Sequence, residues 1–300
     1  MKIIETTCQV ACNKLKRRFP YPYDLNVYRG CQHGCKYCFA LYSHDYVDGV
    51  GAGSFFKHVV VKTNIVEQLE KQLSSPSWKG DVINLGGVTD NYQPIEKEYQ
   101  LMPQVLKLLI RYKNPCIIST KSDLILRDFD LIDQLSRLAH VNIACTITAF
   151  DEDVRRKLEP GGVSSAERFN VLKEMGKTKA SRGVHVMPIV PYLTDDLDNL
   201  ENIYRTASEI NASYVLPSNL NLKGPTRSAF FAFIDKEYPH LFTPIAELFQ
   251  GREVTDLRKA YKSQLFSRIR RLQDKYQLYA NYMDFAGVRK KEKEEQLSLF

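Results

Sequence analysis

The stretch "NVYRGCQHGCKYCFAL", residues 26–41, carries three of the chain's seven cysteines, at Cys31, Cys35 and Cys38. The odd number of cysteines, and the lack of an apolar leader run after Met1, argue against a framework of disulfide bonds. Both observations predict a reducing, cytoplasmic environment, where closely spaced thiols are more typical of metal binding.

Charged residues interrupt the apolar runs of the chain. The run "QVLKLLIRYKNPCIIS", for example, contains Lys107, Arg111 and Lys113. A helix needs roughly 18 predominantly apolar residues to cross a bilayer, so the sequence predicts no membrane partner.

Two kinds of metal site suit the three cysteines. A closed structural zinc site has four ligands, usually as two spaced pairs. These cysteines have no second pair, although His33 or His44 would complete a Cys3His set. The C-x3-C-x2-C spacing instead favours a cubane iron-sulfur cluster, which three thiolates on one loop would hold while one iron stays open. Cys8 and Cys12 have no further ligand nearby and are predicted to be structural.

Strand-like runs alternate with helical patterns after the cysteine stretch. In the first helical pattern Ile65, Leu69 and Leu73 share one face, and Thr63 is the predicted cap. Such alternation predicts an α/β fold with a parallel sheet, closed into a full or partial barrel. The predicted strands are 58–62, 81–87, 115–120, 141–149, 183–190 and 212–218.

Polar residues and glycines follow several of the predicted strands, in "NLGGVTD", "STKSD" and "CTIT". Catalytic groups of such barrels lie at the carboxyl ends of strands. Each motif alone also fits a glycine turn, a solvated lysine or ordinary β-branched residues. Their recurrence at successive strand ends indicates a binding site, and the candidates are Gly86, Gly87, Thr89, Asp90, Lys121, Thr146 and Thr148.

The pattern "CQHGCKYCF" resembles the cluster loop of radical S-adenosylmethionine (radical SAM) enzymes. The blocks "LNVYRGCQHGCKYCFA", "GGVTDNYQPIE", "STKSDLILRDFDLI" and "TITAFDEDVRRKLEPGG" are similar, in this order, to those of the spore photoproduct lyase-like radical SAM proteins, often described as DNA repair photolyases. The resemblance covers about residues 10–200.

This resemblance implies a partial (β/α)6-type radical SAM barrel with a helical C-terminal extension. It implies a 4Fe-4S cluster on Cys31, Cys35 and Cys38, with SAM bound to the open iron and contacted by the candidates at the strand ends. In that superfamily an electron from the cluster cleaves SAM to a 5'-deoxyadenosyl radical, while the protein binds, orients and shields the cofactor. The implied partners are DNA and an electron donor of the flavodoxin or ferredoxin type, and the implied activity is that of a carbon-carbon lyase.

Two departures limit the transfer of activity. Spore photoproduct lyases carry a hydrogen-donating cysteine where this chain has Gly87 and Val88, and a second tyrosine where it has Phe39. Tyr37 of the tyrosine relay is kept, but a phenyl ring at the second position has no O–H hydrogen to pass. Cys145 replaces the missing donor only if the fold brings it into the pocket; otherwise it is a buried apolar thiol.

The net charge of +7 is compatible with a nucleic-acid substrate. Basic residues beside aromatic ones suit a polyanion whose bases stack or flip out, although a solvated helix face explains them as well. Lys14, Lys16, Arg17 and Arg18 precede "FPYPYD", and a predicted helix carries Arg258, Lys259, Lys262, Arg268, Arg270, Arg271 and Lys275.

Four segments are predicted: a basic lead-in at 1–24, the barrel at 25–215, a helical extension at 216–288 and a flexible charged tail at 289–300. The tail ends in "EQLSLF", which resembles the short peptide by which bacterial repair and replication proteins bind the sliding clamp. Its anchors would be Gln296, Leu297, Leu299 and Phe300. Alternatively, the terminus frays or folds back on the chain's own helices.

Three classes of function stay open on the sequence alone. The first is a radical SAM enzyme that acts on DNA. The second is a radical SAM enzyme with a protein, RNA or small-molecule substrate. The third is a non-catalytic, metal-bearing protein that binds DNA or the clamp.

Overall fold

The computed structural model describes residues 1–16, 21–46, 52–250 and 255–282. Its strands are β1 (Lys2–Thr6), β2 (Cys12–Lys14), β3 (Tyr23–Leu25), β4 (Tyr28–Arg29), β5 (His58–Lys62), β6 (Ile83–Leu85), β7 (Cys116–Thr120), β8 (Val141–Thr146), β9 (Ser181–Ile189) and β10 (Tyr214–Asn219). Its helices are α1 (Ile65–Leu73), α2 (Glu96–Tyr99), α3 (Leu101–Tyr112), α4 (Phe129–Leu138), α5 (Glu152–Leu158), α6 (Ser165–Met175), α7 (Leu197–Glu209), α8 (Pro225–Glu237), α9 (Phe242–Leu248) and α10 (Asp256–Tyr276).

Six parallel strands form the main sheet, in the spatial order β3-β6-β7-β8-β9-β10. The strand β2 pairs antiparallel with the outer edge of β3. Each parallel pair is joined by a crossover that contains at least one helix, as parallel pairing requires. The predicted α/β fold with a partial (β/α)6-type barrel is therefore confirmed.

Residues 58–62 form a strand, as the sequence predicts, but this strand does not belong to the barrel sheet. The strand at these residues, β5, pairs with β1 and β4 in a separate three-stranded sheet. The first barrel strand is β3, which lies before the cysteine loop and spans three residues. The sequence of β5 is strongly apolar because its middle residues, Val59 to Val61, are buried in this smaller sheet.

Helix α1 buries Ile65, Leu69 and Leu73, as its sequence period predicts. The prediction of a Thr63 cap is wrong, since the N-cap is Asn64 and its side chain makes no capping bond. That side chain instead pairs with the backbone N–H and carbonyl of Cys8, at 2.8 and 3.0 Å. The start of α1 is thereby tied to the segment after β1.

The two faces of the main sheet differ in polarity. The helix-facing side buries apolar groups that include Ile118, Ile143 and Cys145. On the lumen side, Asn142 donates to the hydroxyl of Tyr214 at 2.9 Å. Since residues alternate between faces, Cys145 faces the helices, and burial raises the pKa of its thiol to about 12. The condition for a catalytic Cys145, that the fold bring it into the pocket, is not met; it is a buried apolar thiol.

The region after β10 covers one flank of the sheet. Helix α10 lies beside α7, where the hydroxyl of Ser208 donates to the carbonyl of Tyr276 at 3.3 Å. The chain then turns back, and the N–H of Val215 donates to the carbonyl of Tyr279 at 3.0 Å. This pairing covers the outer edge of β10, which would otherwise expose unpaired backbone groups.

The barrel strands run from Tyr23 to Asn219, slightly beyond the predicted limits of 25–215. Residues 1–24 contain β1 and β2 as well as the start of β3. Helices α8 to α10 lie within the predicted extension, 216–288.

Two predicted features lie outside the described residues: the basic pair Arg17 and Arg18, and the tail with the clamp-like peptide at 296–300. Within the described ranges, no helix has the length and apolar character that a bilayer span requires.

Candidate functional site

The three cysteines lie on one loop downstream of β4, near the carboxyl end of the first barrel strand. Cys31 and Cys35 are 8% and 7% exposed, and Cys38 is half-buried. Just before them Gly30 adopts a φ of +85°, and a Cβ there would lie 2.2 Å from a backbone carbonyl of β5. Only glycine fits this turn without strain, so the loop's entry is fixed by the sequence.

The carboxylate of Asp90 joins this loop to the barrel. It accepts from Nε2 of His33 at 2.8 Å, the hydroxyl of Thr120 at 2.9 Å, and the backbone N–H groups of Lys121 at 2.7 Å and Tyr92 at 2.9 Å. Burial alone would raise the pKa of Asp90, but His33 and these hydrogen bonds lower it to about 2. Both carboxylate oxygens are therefore occupied by protein donors, and a contact of Asp90 with SAM stays a prediction.

The segment "KLEPGG", residues 157–162, packs against the cysteine loop on the side opposite Asp90. Nδ1 of His33 donates to the carbonyl of Gly161 at 2.9 Å, and the N–H of Gly161 donates back to the His33 carbonyl at 2.9 Å. A Cβ at Gly161 would lie 2.2 Å from the carbonyl oxygen of Gln32. The side chain of His33 thus joins the Asp90 side of the loop to the Gly161 side, because its two ring nitrogens contact acceptors on opposite sides.

Side chains after β6 bind the loop backbone. The hydroxyl of Thr89 donates to the carbonyl of Gly30 at 2.5 Å, and Nε2 of Gln93 donates to the same carbonyl at 3.2 Å. The side-chain oxygen of Gln93 in turn accepts from the N–H of Gln32 at 2.9 Å. Thr89, predicted as a cofactor contact, is in this structure a support of the cysteine loop.

Glu159 is the centre of a second buried network. Its carboxylate accepts from the hydroxyl of Tyr37, from Nη1 of Arg168 and, at 3.2 Å, from the hydroxyl of Thr148. Arg168 also donates to the carbonyl of Thr146 at 2.9 Å. The predicted site residues Tyr37, Thr146 and Thr148 therefore meet around a carboxylate that the sequence did not single out.

The charges beside Cys35 do not balance. Burial alone would lower the pKa of Lys121, but the negative charges of Cys35, when ionised, and of the Glu159 carboxylate outweigh it and raise the pKa above its usual value, so the ammonium persists. Arg168 is fully buried, and its Nη2 has no hydrogen-bond partner among the described residues. Two cations against one carboxylate leave an excess positive charge, which favours an anionic group at this place.

The three thiols suit an iron-sulfur cluster by their chemistry and by their position on one loop. Burial raises the pKa of each to about 12, with smaller contributions from neighbouring groups that include the other thiols. Among the described residues no three His, Cys, Asp or Glu side chains are arranged around a single metal ion. In a cubane each cysteine binds a different iron, so the ligands surround a cluster rather than a point. Binding would release the thiol protons, and the nearby positive charge would offset the thiolates.

The glycines after β6 pack closely against neighbouring groups. Gly86 has a φ of +97°, and a Cβ at Gly87 would lie 1.9 Å from a carboxylate oxygen of Asp24. Asn84 holds that carboxylate by a hydrogen bond of 2.7 Å. A side chain at position 87 would therefore require Asp24 to move. Phe39, at the other departure from the lyase pattern, is 55% exposed.

Sequence reasoning missed Glu159 and Arg168 and treated His33 only as an alternative zinc ligand. A signal was present for Arg168, since a cation next to Phe169 in an amphipathic helix interrupts its buried face. Glu159 and His33 gave none, because their partners are distant in sequence.

Replacing Arg168 by Met is expected to destabilise the protein by about 3 to 5 kcal/mol, because the Glu159 carboxylate would stay buried without its main partner. The control is Lys71→Met, which removes an ion pair whose side chains are 62% and 63% exposed; its effect should be below about 1 kcal/mol. Urea unfolding of both variants measures the difference. Equal stabilities of the two variants would contradict the account of the buried pair.

Replacing Cys35 by Ala is expected to abolish cluster binding, because one of three thiolate ligands is lost. Cys145→Ala is the matched control, since Cys145 faces the helices and should leave iron and sulfide content intact. Both variants are reconstituted anaerobically and assayed for iron and sulfide. A full cluster in the Cys35 variant would rule out the assignment.

A model of the radical SAM superfamily matches residues 25–205 of the chain. An uncharacterized protein of Mycobacterium tuberculosis is 32% identical over 280 residues, which are 93% of this chain and 82% of the relative. An uncharacterized protein of Methanocaldococcus jannaschii is 30% identical over 224 residues, 75% of this chain and 79% of the relative.

The solved structure of spore photoproduct lyase complexed with dinucleoside spore photoproduct is similar to this fold, with a TM-score of 0.64. It shares 13% sequence identity, and the match covers 91% of this chain and 79% of that chain. At this low sequence identity, the structural similarity shows a shared fold and nothing about activity. The family model spans more than half of the sequence, and the mycobacterial relative aligns with nearly all of it, so the chain belongs to the radical SAM superfamily.

Proposed function

We propose that this radical SAM enzyme binds a 4Fe-4S cluster through Cys31, Cys35 and Cys38, cleaves SAM reductively and acts on DNA in a lyase-type repair reaction. The observation that carries the proposal is the enclosure of the cysteine loop between two buried carboxylate networks, centred on Asp90 and Glu159. When bound, the cluster and SAM supply radical chemistry.

The protein's own residues would position and shield this chemistry. The His33–Asp90 contact fixes the loop relative to the end of β7, and Gly161 closes its other side. The ammonium of Lys121 lies 6.0 Å from the ring centre of Tyr37. We assign Lys121 to the carboxylate of SAM, since an ammonium binds an anionic group well in a buried site. The family chemistry also requires a low-potential donor, for which a flavodoxin or ferredoxin is the proposed partner.

The DNA substrate is supported by the net charge of +7 and by the shared fold with spore photoproduct lyase. The reaction would differ from that enzyme in its hydrogen donor. A cysteine at position 87 would require Asp24 to move, and Phe39 carries no hydroxyl. We therefore propose a DNA lesion whose repair draws hydrogen from another source.

The test is DNA binding and turnover by the anaerobically reconstituted, dithionite-reduced enzyme. We expect 5'-deoxyadenosine from SAM, and DNA binding that weakens as salt rises, because phosphate contacts displace counterions. DNA containing spore photoproduct should not be reversed efficiently to two thymines, and undamaged DNA is the control. Absence of salt-dependent binding would refute the DNA substrate, and efficient reversal would refute the argument from Gly87 and Phe39.

We further propose, on sequence alone, that Gln296, Leu297, Leu299 and Phe300 bind the bacterial sliding clamp. A charged tether that ends in two leucines and a phenylalanine suits a segment that orders on binding a groove. Deletion of residues 296–300 should abolish binding to purified clamp and leave iron content and SAM cleavage unchanged. Clamp binding that survives the deletion, or that the full-length chain lacks, would refute this partner.

A further inference from the structure

Three basic side chains gather where β9 and β10 end. Arg258 and Lys262 line a small cavity together with Ile189 and Asn219, which lie at the carboxyl ends of these strands. Arg227 reaches the same place from α8. Since barrel enzymes carry their chemistry at this end of the strands, the basic group borders the mouth of the barrel.

The two arginines share Phe249. Nη1 of Arg227 donates to the carbonyl of Phe249 at 2.8 Å, and the guanidinium carbon of Arg258 lies 4.4 Å from the centre of the Phe249 ring. Burial lowers the pKa of Arg258, and the charge of Arg227 lowers it further. The two guanidinium groups are thus held near each other around Phe249 despite their repulsion.

No carboxylate forms an ion pair with Arg227, Arg258 or Lys262 among the residues described. The nearby carboxylate of Asp195 accepts the hydroxyl of Tyr261 at 2.7 Å instead. Neighbouring cations without counter-ions favour an anion that can receive several donors at once.

This basic group also adjoins the cysteine loop. Thr226, next to Arg227 in the chain, donates its hydroxyl to the carbonyl of Cys38 at 2.8 Å. An anion held by Arg227 would therefore lie beside the loop that carries the cluster ligands.

We propose that Arg227, Arg258 and Lys262 bind backbone phosphates of a nucleic-acid strand and so present one nucleotide to the mouth of the barrel. The proposal rests on the proposed function and identifies the subsite that holds the substrate. Guanidinium forks match phosphate geometry by paired hydrogen bonds. Phosphate contacts fix the position of a strand without reading its sequence, which suits an enzyme that must accept a lesion in many contexts.

The basic residues of α10 lie in two groups, one at each end of the helix. Lys275, at the far end, pairs with Glu201 at 2.5 Å, near the end of the helix that meets α7. Arg270 and Arg271 are exposed, and they begin about 18 Å along the helix from Arg258 at 1.5 Å per residue. Arg270 and Arg271 carry the same total charge as Arg258 and Lys262 but lie away from the carboxyl ends of the strands. They therefore form a matched control.

The experiment measures binding of a fluorescent single-stranded DNA of mixed sequence to the reconstituted full-length protein across a salt series. The double variant Arg258→Gln with Lys262→Gln should bind at least roughly tenfold more weakly at low salt. The slope of log binding constant against log salt concentration should also be shallower by about 1.4. Each lost phosphate contact on a single strand accounts for about 0.7 of this change. The control, Arg270→Gln with Arg271→Gln, should keep the slope of the unmodified protein.

Arg258→Lys, which retains the charge, should restore most of the salt slope. Iron content and thermal unfolding show whether each variant is folded; if the double variant is not, Lys262→Gln alone carries the test, with a slope shallower by about 0.7. Equal losses at both ends of α10, or no change at the mouth, would overturn the phosphate subsite while leaving the DNA substrate intact. An unmodified protein that binds no DNA would overturn both.

Discussion

The buried carboxylate of Asp90 is the group on which the arrangement of the site depends. It accepts hydrogen bonds from the imidazole of His33, the hydroxyl of Thr120 and the N–H of Lys121, and so joins the cysteine loop to the end of β7. A buried anion must be paired and fully hydrogen-bonded to be tolerated. Separation of the cysteine loop from the end of β7 would therefore leave the Asp90 carboxylate exposed or unpaired. The shape of the loop therefore depends on these protein contacts.

Glu159 supports the same loop from the opposite side, with a different charge balance. Asp90 is paired with the single side chain of His33, whereas Glu159 lies close to two cations, Arg168 and Lys121. The first network therefore serves mainly to hold the loop, and the second adds positive potential beside Cys35. Thiolate ligands bring negative charge into this buried region, which makes a cationic neighbourhood favourable. The Asp90 network thus fixes the position of the loop, and the Glu159 network provides the positive charge beside it.

Local periodicity made much of the fold predictable, as the buried face of Ile65, Leu69 and Leu73 in α1 illustrates. The prediction failed where pairing between distant segments decided the outcome. The apolar pattern of residues 58–62 predicts the strand β5 itself, but it cannot show that β1 and β4, rather than barrel strands, are its partners. In the site, the cysteines were evident from their spacing, whereas the bridging role of His33 was hidden because its partners, Asp90 and Gly161, lie far along the chain.

The proposed function requires that Cys31, Cys35 and Cys38 hold a cluster with one iron open to SAM. Electron paramagnetic resonance of the anaerobically reconstituted, reduced protein, recorded with and without SAM, can detect this arrangement. We expect the signal of a reduced 4Fe-4S cluster whose g values change when SAM is added, because the ligands of the open iron change. Identical spectra in saturating SAM, from a protein shown to contain a full cluster, would contradict it.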